Sequence, residues 1–241
     1  MHRDSAFQVV ASLPSDAAAR YFSNARVLSP TRVVALLLLA LVALSASAQD
    51  PASAFLEAAK KGDADNLRSL IGKGADVNTK NAAGRTALME AAYWGRVEAT
   101  GALLEKGADV NASDKDNHTA LIDAAGPGHI KVVDALLGKG ADPNAKNKDG
   151  GTALMEAASN NRTDVIKALL EKGAKVDEKD KDGRTALILA GNWGHADAAQ
   201  ALIDKGANVN AKDKYGYTAL MYAKRENHTN VVDLLNKATA K

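Results

Sequence analysis

A chain of 241 residues with no cysteine, 46% apolar and 25% charged residues has the composition of a folded protein with one sizeable core. The missing cysteine excludes disulfides, thiolate metal sites, a cysteine nucleophile and a lipoprotein anchor. The 31 basic and 29 acidic side chains leave a formal charge of +2, all of it contributed by residues 1–48; the remainder is neutral and carries no basic stripe, so nucleic acid is not an expected partner.

The first 48 residues differ in kind from the rest. Arg32 precedes an apolar run from Val33 to Leu44, followed by Ala46-Ser47-Ala48. This is the layout of a secretory signal peptide and predicts cleavage after Ala48. The run is too short for a stable membrane span, which takes about 20 residues. The alternatives are an uncleaved signal that anchors the protein in the membrane, or a buried helix. The segment before Arg32 is long for the start of a signal and lacks periodicity; translation is expected to begin later than Met1, near residues 26–32.

From residue 51 the chain repeats. Threonines stand at 86, 119, 152, 185 and 218, a period of 33, and Ser53 lies one period earlier. The "KGAD" at Lys73, Lys106 and Lys139, "KGAK" at Lys172 and "KGAN" at Lys205 keep the same register. Such self-similarity predicts a stack of units that each bury an apolar face against the next. Within a unit, Thr86 is expected to cap a short helix whose buried side is Ala87, Leu88, Ala91 and Ala92. Glu90, Asp123 and Glu156 fall in the first turn of that helix and complement its dipole. Gly95 marks a turn. A second helix follows, with Val132, Val133, Leu136 and Leu137 at helical spacing, repeated as Val165, Ile166, Leu169 and Leu170. Gly107, Gly140 and Gly173 suit the left-handed residue after a helix, and "DVNASDKDN" reads as an extended segment with a tight turn.

Helix, turn, helix and hairpin at this period resemble the ankyrin repeat. The Thr-Ala-Leu starts, the Ala-Ala pairs, Gly128-His129, Gly194-His195, the paired leucines and "GADVNA" carry the resemblance over residues 51–241. It implies an all-α solenoid of stacked helix-turn-helix units joined by β-hairpin-like loops. Residues 1–48 then form an extension and signal, and residues 49–241 a repeat domain with units at 51–83, 84–116, 117–149, 150–182, 183–215 and 216–241. Where the family has Pro and His, this chain has Ala87 with Met89, Ala120 with Ile122, Ala153 with Met155, Ala186 with Ile188 and Ala219 with Met221. An apolar side chain is therefore expected to fill the space of the family histidine, which puts the polar link between hairpins in doubt. Lys224 and Asn236 replace apolar residues in the last unit, as suits a unit facing water.

Little in the sequence points to catalysis, metal or cofactor. His129, His195 and His228 share one repeat position, which in the family is structural, with stacked histidines tying units together. His118 is expected to be exposed at a hairpin tip. The "DKDNH", "NKDGG" and "DKDGR" loops lack the ligand pattern of a calcium loop. No G-x-S-x-G, phosphate-loop or H-E-x-x-H pattern is present. Asn117, Asn161 and Asn227 match the N-glycosylation pattern, relevant only to a eukaryotic secretory route.

The resemblance implies a protein partner held by the hairpin tips and the concave face of the first helices. The residues there that vary between units, and are rich in the aromatics that anchor interfaces, are Tyr93, Trp94, Asn192, Trp193, Tyr215, Tyr217, Tyr222 and Arg225. They predict two clusters, Tyr93 with Trp94 and Trp193 with Tyr215, Tyr217 and Tyr222, at the ends of a groove roughly 30 Å long at ordinary helix spacing. Tyr93 and Trp94 packing only on neighbouring helices is the competing reading. The expected function is a non-enzymatic, monomeric scaffold exported to a bacterial periplasm or secreted, with no cofactor. The alternatives are a dedicated periplasmic inhibitor, immunity or stabilising protein for one enzyme, or a metal- or small-molecule-binding protein. Ala99-Thr100-Gly101 and Ala198-Ala199 stand where other units place Val and Ile, so these units are expected to open first in amide exchange.

Overall fold

The computed structural model describes residues 51–240, which belong to one compact unit spanning Asp50–Lys241. The signal sequence, its cleavage point and the start of translation lie outside the described residues. Twelve α-helices follow in six pairs: α1 (Pro51–Lys61) and α2 (Ala64–Gly72), α3 (Ala87–Tyr93) and α4 (Val97–Glu105), α5 (Ala120–Ala125) and α6 (Ile130–Gly138), α7 (Ala153–Ser159) and α8 (Thr163–Glu171), α9 (Ala186–Trp193) and α10 (Ala196–Asp204), α11 (Ala219–Arg225) and α12 (Thr229–Thr239). First helices pack on first helices and second helices on second helices, giving two layers. The all-α solenoid is as the resemblance implied.

Each first helix from α3 to α11 begins as the spacing predicts. The hydroxyls of Thr86, Thr119, Thr152, Thr185 and Thr218 accept from the amides three residues on, at 3.3–3.4 Å. This satisfies an amide that the helix itself cannot. Ala87, Leu88, Ala91 and Ala92 are fully buried, and so are their counterparts in the next two units. Alanine at the contact lets the short helices approach closely, while leucines such as Leu121 and Leu154 fill the space between layers. Each such leucine contributes about 1.5–3 kcal/mol by leaving water.

The apolar replacement of the family histidine is buried where a following unit covers it. Met89, Ile122, Met155 and Ile188 are 1–3% exposed, whereas Met221, with no unit stacked on it, is 49% exposed. The lost polar link is partly replaced at Met89, whose sulfur accepts weakly from the Thr86 amide at 3.4 Å. Polar links between units come from elsewhere. At the hairpin tips, the amides of Lys115, Lys148, Lys181 and Lys214 donate to carbonyls of the preceding unit at 2.8–3.0 Å. Asn78, Asn111, Asn144 and Asp177 each accept from an amide of the next unit at 2.8–2.9 Å. The hairpins themselves are turns, with isolated antiparallel bridges only at Lys80–Thr86 and Ser113–Thr119 among the described residues.

Between the two helices of a pair runs a third ladder. Arg96 donates to Lys60 O at 2.9 Å, His129 to Tyr93 O at 3.1 Å, Arg162 to Gly126 O at 3.1 Å, His195 to Ser159 O at 3.0 Å and His228 to Asn192 O at 3.1 Å. The histidines do tie units together, but not by stacking on one another: each reaches a carbonyl of the unit before, and arginines serve in units two and four. The close seat of these side chains dictates a glycine. Gly95 has φ +66°, and a Cβ there would stand 2.6 Å from the His129 ring. Gly107, Gly140 and Gly173 take the left-handed conformation expected of them after a helix.

Unit two carries a packing defect at its second helix. The Thr100 hydroxyl is buried without a partner. A Cβ on Gly101 would meet nothing within 4 Å. Thr100→Val and Gly101→Ala should each raise the unfolding free energy by about 1 kcal/mol in urea titration, the first by removing an orphan polar group and the second by restoring helix propensity. Gly95→Ala should lower it by at least about 1 kcal/mol, since backbone and space both oppose a side chain.

Candidate functional site

The hairpins and first helices form one side of the solenoid, and the sequence-selected residues lie there. Tyr93 and Trp94 end α3, and their rings meet edge to face at 5.4 Å, with the Lys60 ammonium 5.4 Å from the Trp94 ring. Both are partly exposed, at 47% and 43%. At the other end, Tyr217 in the last hairpin and Tyr222 in α11 contact at 5.4 Å. Arg225 covers the Tyr222 ring at 4.8 Å, and Lys214 covers Tyr215 at 5.0 Å. The Tyr222 hydroxyl donates to Asp213 at 2.7 Å, and that bond raises the phenol's pKa, with burial and the charge of Asp213 adding to it. Trp193, 58% exposed at the end of α9, makes no ring contact with these tyrosines among the described residues. It stands alone, and its neighbour Asn192 gives its backbone carbonyl to His228.

A cleft of about 760 Å³ opens beside Tyr93 and Trp94. Its floor is an ionic network that the sequence reading did not assemble. Arg85 Nε donates to Glu90 at 2.7 Å, and its terminal nitrogens lie 2.9 Å from Asp123 and 3.4 Å from Asp114. One guanidinium thus links units two and three. Asp123 is 8% exposed and also faces His118 Nδ1 at 3.3 Å. His118 is therefore not an exposed tip residue: the tip is Lys115–Asn117, and the imidazole is drawn inward by Asp123. The carboxylates assigned to helix dipoles occupy those first turns, but for Glu90 and Asp123 the stronger partners are the cations of the hairpin.

The hairpin is shaped to present that second residue of each unit. Asn81, Asp114, Asn147, Asp180 and Asp213 each accept two amides across the turn, the latter from Arg85, His118, Gly151, Arg184 and Tyr217. The signal available in the sequence was the spacing of five residues between Arg85 and Glu90 and between His118 and Asp123. It is easily missed, because five is not a helical repeat and one partner lies in the loop. Among the described residues, no three His, Asp or Glu side chains converge as metal ligands. No helix there is long and apolar enough to cross a membrane.

The hydrogen bond to Asp123 raises the His118 pKa above its ordinary 6.5; burial opposes the rise, and the charges of Asp123, Asp114 and Glu156 add to it. A raised folded pKa contributes stability that is complete below the unfolded value and lost as pH rises through the folded one. Urea unfolding at about pH 6 and about pH 8 should show this loss in the wild-type chain, and His118→Ala should remove that part of the difference.

A family model described as "Ankyrin repeats (3 copies)" matches residues 55–147 and 154–241. No curated protein matches the chain. With stacked helix pairs, threonine-capped first helices and a family match over most of its length, the chain belongs to the ankyrin-repeat family.

Proposed function

We propose that the chain is a non-enzymatic scaffold that works as a monomer after export to a bacterial periplasm or beyond, and holds a protein partner against its hairpins and first helices. Ankyrin repeats generally mediate protein–protein interaction. One observation carries the choice of face. The exposed large apolar side chains, Tyr93, Trp94, Trp193, Tyr215, Tyr217 and Met221, are 42–66% exposed, and all lie on hairpins or at first helices; none lies on a second helix. Apolar area of this kind on one side marks an interaction surface, and Tyr and Trp are its usual anchors. The balanced charge of the repeat domain argues for a protein rather than a nucleic acid partner. Export rests on the Val33–Leu44 run and the Ala46-Ser47-Ala48 that follows it.

Two measurements test this. Sequencing of the mature protein from the periplasmic fraction should begin at Gln49, and a chain that retains Arg32 in the cytosol would overturn export. In pull-downs from that fraction, Trp94→Ala combined with Trp193→Ala should weaken capture by at least about thirtyfold if either tryptophan is an anchor worth about 2 kcal/mol. Undiminished capture of every partner rules out the aromatic face.

A further inference from the structure

The acid at the repeat position of Glu90 has a cationic partner in the first three units. Glu57 pairs with Lys61 at 3.5 Å, Glu90 with Arg85 at 2.7 Å, and Asp123 with Arg85 at 2.9 Å and His118 at 3.3 Å. In units two and three the cation is the second residue of the hairpin, five residues before the acid. Unit four breaks the pattern. Its acid is Glu156, but the hairpin residue is Gly151. The Glu156 carboxylate has neither a hydrogen bond nor an ion pair among the described residues, although it is half-buried. Burial raises its pKa; the charge of His118 opposes the rise and that of Asp123 adds to it. Unit five shows the reverse: Arg184 stands in the hairpin opposite Leu189, and it turns to Asp180 at 2.8 Å and Asp182 at 3.3 Å.

The neighbouring charges are already matched. Asp116 has Lys148 at 2.9 Å, and Asp114 has Arg85 at 3.4 Å. Neither leaves a cation free for Glu156. Across the helix layer the floor is small: Gly126 lies against the carboxylate, with Glu156 Oε2 3.8 Å from where a Cβ would stand. At the hairpin Gly151 brings no cation to Glu156, whereas Arg85 brings one to Glu90 in unit two; a Cβ on Gly151 would stand 3.0 Å from the Asn147 side chain. A half-buried carboxylate with no hydrogen-bonded or ion-paired partner weakens the free protein, and a cation brought by a binder removes that cost at the moment of binding.

We propose that the Glu156 carboxylate receives an arginine side chain of the protein partner, which pairs with it as Arg85 pairs with Glu90. The proposal rests on the reading that the hairpin and first-helix side is the binding face. The partner segment is thus a basic one that crosses units two to four, with its guanidinium at Glu156 and its apolar neighbours toward Tyr93 and Trp94. Arginine suits the place better than lysine, because its planar fork meets a carboxylate with two hydrogen bonds.

The test is to pan a random peptide library displayed on phage against the full chain, and to map the selected peptides by amide protection. Peptides that protect the hairpins and first helices of units two to four should carry arginine. They should bind Glu156→Gln and Gly151→Arg at least about tenfold more weakly, a change of about 1.4 kcal/mol, and bind a variant on the opposite layer, Lys167→Gln, as they bind the wild type. Replacing the peptide arginine by citrulline should cost the same factor, with no further loss against Glu156→Gln. In the free protein, Gly151→Arg should lower the Glu156 pKa measured from its carboxyl carbon shift. Peptides that protect this face yet lack arginine, or that bind Glu156→Gln undiminished, overturn the proposal and leave the binding face intact. Peptides that protect only other surfaces overturn both.

Discussion

A helix pair of this length cannot bury its own apolar side, and the whole molecule follows from that constraint. Ala91 and Ala92 leave water only because a neighbouring first helix covers them; Leu136 and Leu169 do so only between the two layers. Stacking is therefore the folding reaction, and every polar group caught between units must find its partner in the next one. The chain meets this demand three times per unit: at the hairpin tip, at the Asn78-type side chain, and where Arg96 or His129 reaches a carbonyl of the preceding unit. These bonds contribute little net energy each, but leaving the groups unpaired would cost more than they yield when made. They fix the register in which the apolar faces meet.

The same constraint explains the departures from the family. A histidine at the Met89 position would offer a polar link there. With Met89, Ile122, Met155 and Ile188 the link becomes apolar contact, and the three ladders carry the polar registration. Met221 shows what the substitution costs where no described unit covers it: the same side chain in the same place lies half in water. Lys224 and Asn236, read from the sequence as signs of a finished end, are compatible with water on that side, yet Met221, Tyr215 and Tyr217 keep it partly apolar.

The fold was legible because it depends on residues at one fixed spacing. The threonines, the alanine pairs and the glycine after each second helix announce their roles locally, and all took them. The site was legible only where exposure alone decides it. Tyr93, Trp94, Tyr215 and Tyr217 are exposed as expected, and Tyr217 meets Tyr222 because five residues separate a hairpin residue from the first turn of its helix. Trp193 is grouped with those tyrosines by their shared end of one face, but sharing a face does not bring side chains into contact, and it makes no ring contact with them. His118 was misplaced for a related reason. Its sequence neighbours mark a tip, whereas its position is set by Asp123 five residues on and by Arg85 of the unit before. A charge network that spans two units cannot be read from either one.

Repetition also gives the exceptions their meaning. In a protein of unrelated segments, a glycine at 151 would be one more turn residue and Glu156 one more surface acid. Here the preceding units act as internal controls with the same backbone and a filled position. Gly151 accepts the same Asn147 turn that Asp114 provides for His118, so the backbone does not require the side chain to be absent. At this hairpin position unit four lacks the cationic side chain of units two and three and the counter-charge it would bring. That isolates the electrostatic deficit at Glu156 from any change in fold, and it places the deficit on the side of the molecule where the exposed aromatic residues already lie. On the proposed reading, the apolar anchors would give affinity without much discrimination, and the Glu156 carboxylate would disfavour a partner that cannot answer its charge.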